Sequence, residues 1–302
     1  MDSQSEAQSM YGAVNSYLAK YRSRRKGGSF MGACSHVGSM RTMLLHVVAD
    51  FGTGDLAFAE VTQRFALHLP GAQVVATAVP PFATLSAGFV VAQLALGEGP
   101  EDRAVFHNVA PRRDDAAARR DNDGERLLQA HLPNGVQVIG VDAGFTFSFL
   151  AEAGARLRKV DVATAGSQFR SRDLFPEATA AALRGERLGA DVDPATLPTV
   201  PPDRIAYVDG FGNVKTTVDA ADAPEPGTRV TIEIGGVRHE ALCVGGSFGV
   251  AHGELAFAPG SSGWLLPDGG WRRWMELLLR GGSASSAFGG PSVGTAVRVA
   301  AT

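Results

Sequence analysis

The sequence predicts an α/β N-terminal domain with a mostly parallel sheet, followed by a C-terminal all-β barrel. Between residues 43 and 110, apolar β-favouring runs alternate with helical stretches, the pattern of strands joined through crossover helices. From Ile205 onward the texture changes to short strands separated by Gly-rich turns. Between the two textures, residues 186–202 (ERLGADVDPATLPTVPP) hold four prolines and no hydrophobic period, which reads as a joint. The expected organisation is a polar arm over 1–42, an α/β domain over 43–186, a linker over 187–202 and a β-barrel domain over 203–302.

Taken in order, MLLHVVADFG (43–52) is a continuous apolar run of the kind buried on both faces of a sheet, and it ends in Asp50 and a glycine-flexed turn. A helix carrying Leu56, Phe58, Val61, Phe65 and Leu67 follows, then the strand AQVVATAV, a helix over 84–97 and the strand RAVFHNVA (103–110). Residues 111–126 are a polar insertion, and LLQAHL and VQVIGVDAG are two strands around a Pro133-Asn134-Gly135 turn. A helix over 173–185 stops at Gly185. Beyond the linker, RIAYVD, NVKTTV, RVTIEI, VRHEALCV, ELAFA and TAVRVA read as strands, with WRRWMELLL as a helix among them. In the arm, a helix near Tyr11–Tyr21 precedes a basic cluster at Arg22, Arg24, Arg25 and Lys26, read as solvated surface.

Composition excludes several function classes. The net charge of -3 argues against affinity won by neutralising phosphates, so nucleic acid is not an expected partner. Two cysteines, Cys34 and Cys243, make neither a disulfide framework nor a zinc site, and no metal is expected. No apolar run approaches the ~18 residues of a membrane span, and the first residues lack a signal-peptide pattern, so the expected location is cytoplasmic. His46 and His107 lie in apolar strands, where a core histidine is the plainer reading.

Two short segments could carry chemistry. Asp50-Phe51-Gly52-Thr53-Gly54-Asp55 leaves the carboxyl end of the first strand, where open α/β sheets bind ligands, and a carboxylate there can accept from vicinal ribose hydroxyls. A helix cap at Asp55 with a turn aspartate is the plain alternative. Asp209-Gly210-Phe211-Gly212-Asn213 gathers a carboxylate, an aromatic ring and an amide, suited to an amine and a heteroaromatic base, or forms an ordinary β-turn.

Together with VPPFATLSAGF (79–89), FHNVAP (106–111), GVDAG (140–144), QFRSRDLFPEATAAALRGE (168–186), YVDGFGNVKTTV (207–218) and SSGW followed by RGGSASSAFG (261–289), these segments resemble in order the S-adenosylmethionine hydrolase and 5′-halogenase family, the fluorinase-type fold. The resemblance implies an α/β domain and a β-barrel, S-adenosylmethionine as ligand or substrate, and a homotrimer whose sites lie between one subunit's first domain and a neighbour's second. It further implies that Asp50 holds the ribose diol, Phe82 stacks on the ligand and Asp209 pairs with the methionine ammonium. Asn213 would meet the adenine edge, Ser261 the carboxylate, and Phe211 and Phe248 would wall the adenine. Taken singly, each phenylalanine reads as core.

The catalytic positions depart from the family pattern. Where the hydrolases carry an aspartate and a histidine, this chain has Ala110 and Arg170, and the usual D-N-G appears as Asp142-Ala143-Gly144. The halogenases' tyrosine is also absent at Ala110, whereas Ser171 agrees with their serine. The family arginine corresponds to Arg119, Arg120 or Arg126. Three functions follow. One is substitution at C5′ by a nucleophile other than water with release of methionine, Arg170 and Ser171 forming an anion subsite. The others are different chemistry in the same pocket, such as cyclisation of a specialised-metabolite precursor, and non-catalytic ligand binding. An Arg170 turned outward to Asp173 or Glu177 is the alternative for that residue.

Overall fold

The computed structural model describes residues 42–110, 124–163 and 167–301. The expected Tyr11–Tyr21 helix, the basic cluster, Arg119 and Arg120 lie outside the described residues. Among the described residues the strands form two sheets of seven.

In the first sheet, β1 (Leu44–Ala49), β2 (Gln73–Ala78), β3 (Arg103–Asn108) and β5 (Gln137–Val141) pair in parallel, whereas β4 (Leu127–His131) pairs antiparallel with β5 and with β6 (Arg156–Val160), and β6 pairs antiparallel with β7 (Leu188–Val192). The order is β2-β1-β3-β5-β4-β6-β7, so the parallel arrangement covers four strands and not the whole sheet. The reason is local. β4 and β5 are joined by the Pro133-Asn134-Gly135 turn, too short for the crossover that parallel strands require. Gly135 sits at φ 87°, and Asn134 Oδ1 accepts the Val136 N–H at 3.0 Å to close the turn. The segment read as a linker contributes β7 to this sheet, and its prolines begin only at Pro194, after the strand has ended.

Helix α1 (Leu56–His68) starts where Asp55 caps it, its carboxylate accepting the Ala57 N–H at 2.7 Å, and it turns Phe58, Val61 and Phe65 inward. Helix α2 (Thr84–Leu96) is apolar nearly all round because it is covered on both sides, by the first sheet and by the second. Arg103 closes its carboxyl end, donating to the carbonyls of Gly97 at 2.6 Å, Pro100 at 2.8 Å and Ala95 at 3.1 Å. The short α3 (Ser148–Glu152) follows β5, and the helix expected over 173–185 is split at Leu174 into α4 (Arg170–Asp173) and α5 (Phe175–Leu183). No helix among the described residues is long and apolar enough to cross a membrane.

The second sheet has β8 (Ile205–Val208), β9 (Val214–Asp219), β10 (Arg229–Ile234), β11 (Val237–Cys243), β12 (Leu255–Leu265), β13 (Trp271–Leu279) and β14 (Val297–Ala301), in the order β14-β10-β11-β12-β13-β9-β8. It curls into a half-barrel whose edges meet at a bridge between Arg204 and Ala296. WRRWMELLL is therefore strand β13 and not a helix. Its helix-favouring Met-Glu-Leu run is overridden by pairing on both sides, with β12 and β9, and Trp274 to Leu277 are buried. The half-barrel and the first sheet share a core within one unit, Arg41–Thr302. Phe89, Phe149, Trp264 and Trp274 meet edge to face there, with ring centroids 5.8 to 6.2 Å apart.

His107 is fully buried on β3, lying over Gly140 of β5, where a side chain would collide with the imidazole, and 4.7 Å from the Phe147 ring. Neither ring nitrogen has a hydrogen-bond partner among the described residues. Burial lowers its pKa from 6.5 to about 3. Because the folded pKa is depressed, the neutral ring favours folding above pH 6.5, and that contribution is lost as pH falls from 6.5 toward about 3. The expected result in thermal denaturation is a loss of up to about 1.4 kcal/mol per pH unit across that window from this group. His107→Leu should flatten that part of the profile, and an unchanged slope would refute the assignment.

Candidate functional site

Parallel β1, β3 and β5 bring Asp50, Ala110 and Asp142 out at one edge of the sheet, and the opposed β4 begins at that edge just after Arg126. Asp50 Oδ2 accepts the backbone N–H of Phe82 at 2.9 Å. Phe82 has φ 61°, a left-handed conformation that costs a non-glycine residue about 1–3 kcal/mol, and its ring is 46% exposed. The Asp50 carboxylate thus braces a strained backbone that presents an aromatic face. Next to it, Phe51 packs edge-on against Phe58 and Phe169, at 5.1 and 5.9 Å between centroids.

Arg126 pairs with Asp142, Nε to Oδ2 at 2.6 Å, so this arginine reaches the GVDAG turn with its charge already balanced. In the same turn Gly144 lies at φ 49°, where any side chain would collide with Thr84. Ala110 is half-buried against the apolar layer and offers only a methyl group.

Arg170 does not turn outward to Asp173 or Glu177. Those carboxylates are taken by Arg172, at 2.7 Å, and by Arg187, at 2.6 Å, and Arg172 also reaches Glu60 at 3.1 Å. Hydrogen bonds from Arg172 and Ser167 hold the Asp173 carboxyl at about 2. The Arg170 guanidinium lies 5.1 Å from the centre of the Phe175 ring, donates to the Glu125 carbonyl at 3.3 Å and keeps a buried Nε without a partner among the described residues. It has no carboxylate partner among the described residues. Ser171 beside it is buried.

On the half-barrel, Asp209–Asn213 is the turn between β8 and β9. Asp209 Oδ1 accepts the N–H groups of Phe211 and Asn213, at 2.9 and 3.0 Å, and Oδ2 accepts the Asn213 side-chain amide at 2.9 Å. The carboxylate and the amide therefore organise each other, leaving Asn213 Oδ1 and the remaining lone pairs of Asp209 for a ligand. Gly212 at φ 80° packs against Ser283, and its carbonyl accepts the Ser285 N–H at 2.8 Å. The loop holding Ser283 begins at Arg280, whose guanidinium lies 5.7 Å over the Phe248 ring and donates to the Val250 carbonyl at 2.6 Å. Three loops thereby meet at one end of the half-barrel, with Phe211 83% and Phe248 87% exposed. Neither ring is core. Arg280, the first residue of the RGGSASSAFG segment and given no role from sequence, joins this rim.

Ser261 is exposed on β12, inside an irregularity of register between Pro259 and Gly263. Behind it, Lys215 and Glu276 form a largely buried ion pair at 2.6 Å, and a Cβ on Gly260 would lie 2.9 Å from Glu276 Oε2. The contacts described knit each of the two clusters within itself: Asp50 with Phe82 at the sheet edge, and Asp209, Asn213, Phe211, Phe248 and Arg280 on the half-barrel. Among the described residues no group of three or more histidines, cysteines or carboxylates is placed to hold a metal.

Residues 203–267 match the family model of the SAM hydroxide adenosyltransferase C-terminal domain. No curated protein matches the sequence. Among solved structures, the chain is similar to an uncharacterized conserved protein from Thermotoga maritima, with TM-score 0.66 and 20% identity over 84% of this chain and 99% of that one. It is also similar to a conserved hypothetical protein from Thermus thermophilus, with TM-score 0.59 and 26% identity over 85% of this chain and all of that one.

Proposed function

We infer, from a half-barrel that carries a SAM hydroxide adenosyltransferase C-terminal domain, that the protein binds S-adenosylmethionine and directs a nucleophile other than water to C5′. The observation that carries this reading is the rim at Asp209–Asn213, inside the matched residues, with two phenylalanines held out into solvent. Exposed aromatic rings that belong to no core suit the flat faces of an adenine. In this reading the second oxygen of Asp50 accepts from the ribose diol, and Phe82 stacks on the ligand. Asp209 faces the ammonium, Asn213 the adenine edge and Ser261 the carboxylate.

In the reaction, the incoming anion forms a bond to C5′ as the C5′–S bond breaks, and methionine leaves with the electron pair that neutralises its sulfonium. Arg170 and Ser171 hold the anion. A guanidinium without a carboxylate partner among the described residues, beside a buried hydroxyl, would be discharged by such an anion and would otherwise repel the sulfonium. The site is completed by the first sheet of one protomer and the half-barrel of a neighbour in a homotrimer, which light scattering should find at micromolar concentration; a monomer would contradict the shared site.

Incubation with S-adenosylmethionine and candidate anions, followed by mass analysis, tests the function. An adenosyl adduct of the anion together with free methionine supports it. Binding without turnover, or consumption to a product that keeps the methionine, would overturn the substitution reading while leaving the ligand in place.

A further inference from the structure

Strands β12 and β13 pair regularly at Pro259 with Met275 and again at Gly263 with Arg273, so Gly260, Ser261 and Ser262 stand opposite Trp274 alone and bulge out of the ladder. Ser261 is the exposed residue of this bulge, with buried neighbours on both sides. Two charged side chains of β13 meet the bulge at the same residue, Gly260. The Arg273 guanidinium donates to the Gly260 carbonyl from Nη2 at 2.9 Å and from Nε at 3.3 Å, and that carbonyl is bonded to the Ser261 nitrogen. Glu276 lies against the Gly260 α-carbon, where a Cβ would stand 2.9 Å from Oε2.

The charges at the bulge do not balance. Glu276, with a side chain only 7% exposed, is committed to Lys215 at 2.6 Å and makes no ion pair with Arg273. Arg272, next along the strand, is held by Asp219 at 2.9 Å and lies over the Trp274 ring. Arg273 therefore has no carboxylate partner among the described residues, and its Nη1 makes no hydrogen bond to them. The unmatched charge is positive, it is fixed to backbone, and it sits one peptide bond from an exposed hydroxyl. A guanidinium anchored in this way keeps its orientation while its remaining N–H groups stay available, and the chemistry that such donors recognise is a carboxylate. An ammonium would be repelled by the same excess of charge. Opposite Arg273 in the ladder stands Gly263, where a Cβ would lie 3.1 Å from Arg273 Cγ and crowd the side chain.

Resting on the adenosyl reading above, we propose that Arg273 binds the carboxylate at the amino-acid end of the ligand together with Ser261, and so sets a preference for a ligand that carries this carboxylate over one that lacks it. The Lys215–Glu276 pair serves this role by keeping Glu276 from neutralising Arg273.

The test is calorimetric titration of the full chain with S-adenosylmethionine and with its decarboxylated analogue, which keeps the adenosyl group, the sulfonium and the ammonium. The wild type should bind S-adenosylmethionine about ten-fold or more tighter than the analogue. Arg273→Gln should remove most of that difference by weakening S-adenosylmethionine alone, and Arg273→Lys should restore part of it. Equal affinity of the wild type for the two ligands would overturn the proposal without recourse to any variant. So would a loss of both ligands alike in Arg273→Gln, the mark of a purely structural arginine, or a loss of neither. Where Arg273→Gln melts well below the wild type, the wild-type preference and Ser261→Ala, which should also weaken S-adenosylmethionine selectively, carry the test. Failure of the folded wild type to bind either ligand would instead sink the adenosyl reading, and this proposal with it.

Discussion

S-adenosylmethionine incubated with the wild-type protein in water is expected to give adenosine at rates about 10²–10⁴ below those of an enzyme with a positioned general base. The Ala110 methyl, half-buried against the apolar layer, can neither accept a proton nor orient an imidazole. Arg170 offers N–H donors and no acceptor, so it cannot take the base's place. In the proposed reading its guanidinium, stacked on Phe175 and anchored at the Glu125 carbonyl, holds an anion instead. Chromatography of the nucleoside products checks this. Arg170→Ala should abolish turnover with the anionic nucleophile while changing S-adenosylmethionine binding little; full activity in that variant would remove the arginine from the mechanism, and adenosine formed at ordinary enzyme rates would refute the non-hydrolytic reading.

Asp50→Ala is expected to weaken S-adenosylmethionine binding by about ten-fold or more, the consequence of losing ~1.5–3 kcal/mol from a charge-assisted hydrogen bond. It should also lower the melting temperature, because the carboxylate braces the left-handed Phe82 through its N–H. Asp50→Asn separates the two roles. An amide oxygen still accepts from Phe82, so the melting temperature should recover, but the amide nitrogen cannot accept from a ribose hydroxyl, so binding should stay weak. Recovery of both by Asp50→Asn would reduce Asp50 to a structural brace.

The strands most visible in the sequence were those whose β-branched runs are buried on both faces, such as β1 and β3, and those with strict alternation, such as β10. Two misreadings have physical causes. Strand β7 is a short edge strand with little apolar content, so only its pairing with β6 distinguishes it from a linker. Strand β13 carries a residue set that favours helix, and its neighbours in the sheet decide otherwise. At the site, Asp50 and the Asp209–Asn213 turn were legible because carboxylates and glycines mark sheet ends and turns. The brace from Asp50 to Phe82 spans 32 residues, and no local pattern could announce it. Exposure of Phe211 and Phe248 runs against the usual burial of phenylalanine, and only the meeting of three loops around Arg280 accounts for it.

Calorimetric titration of S-adenosylmethionine into the wild-type protein tests the adenosyl site most directly. Saturable binding at one ligand per chain, weakened about ten-fold or more by Asp209→Ala, is the expected result. No measurable binding at millimolar ligand by a folded wild-type chain would contradict it.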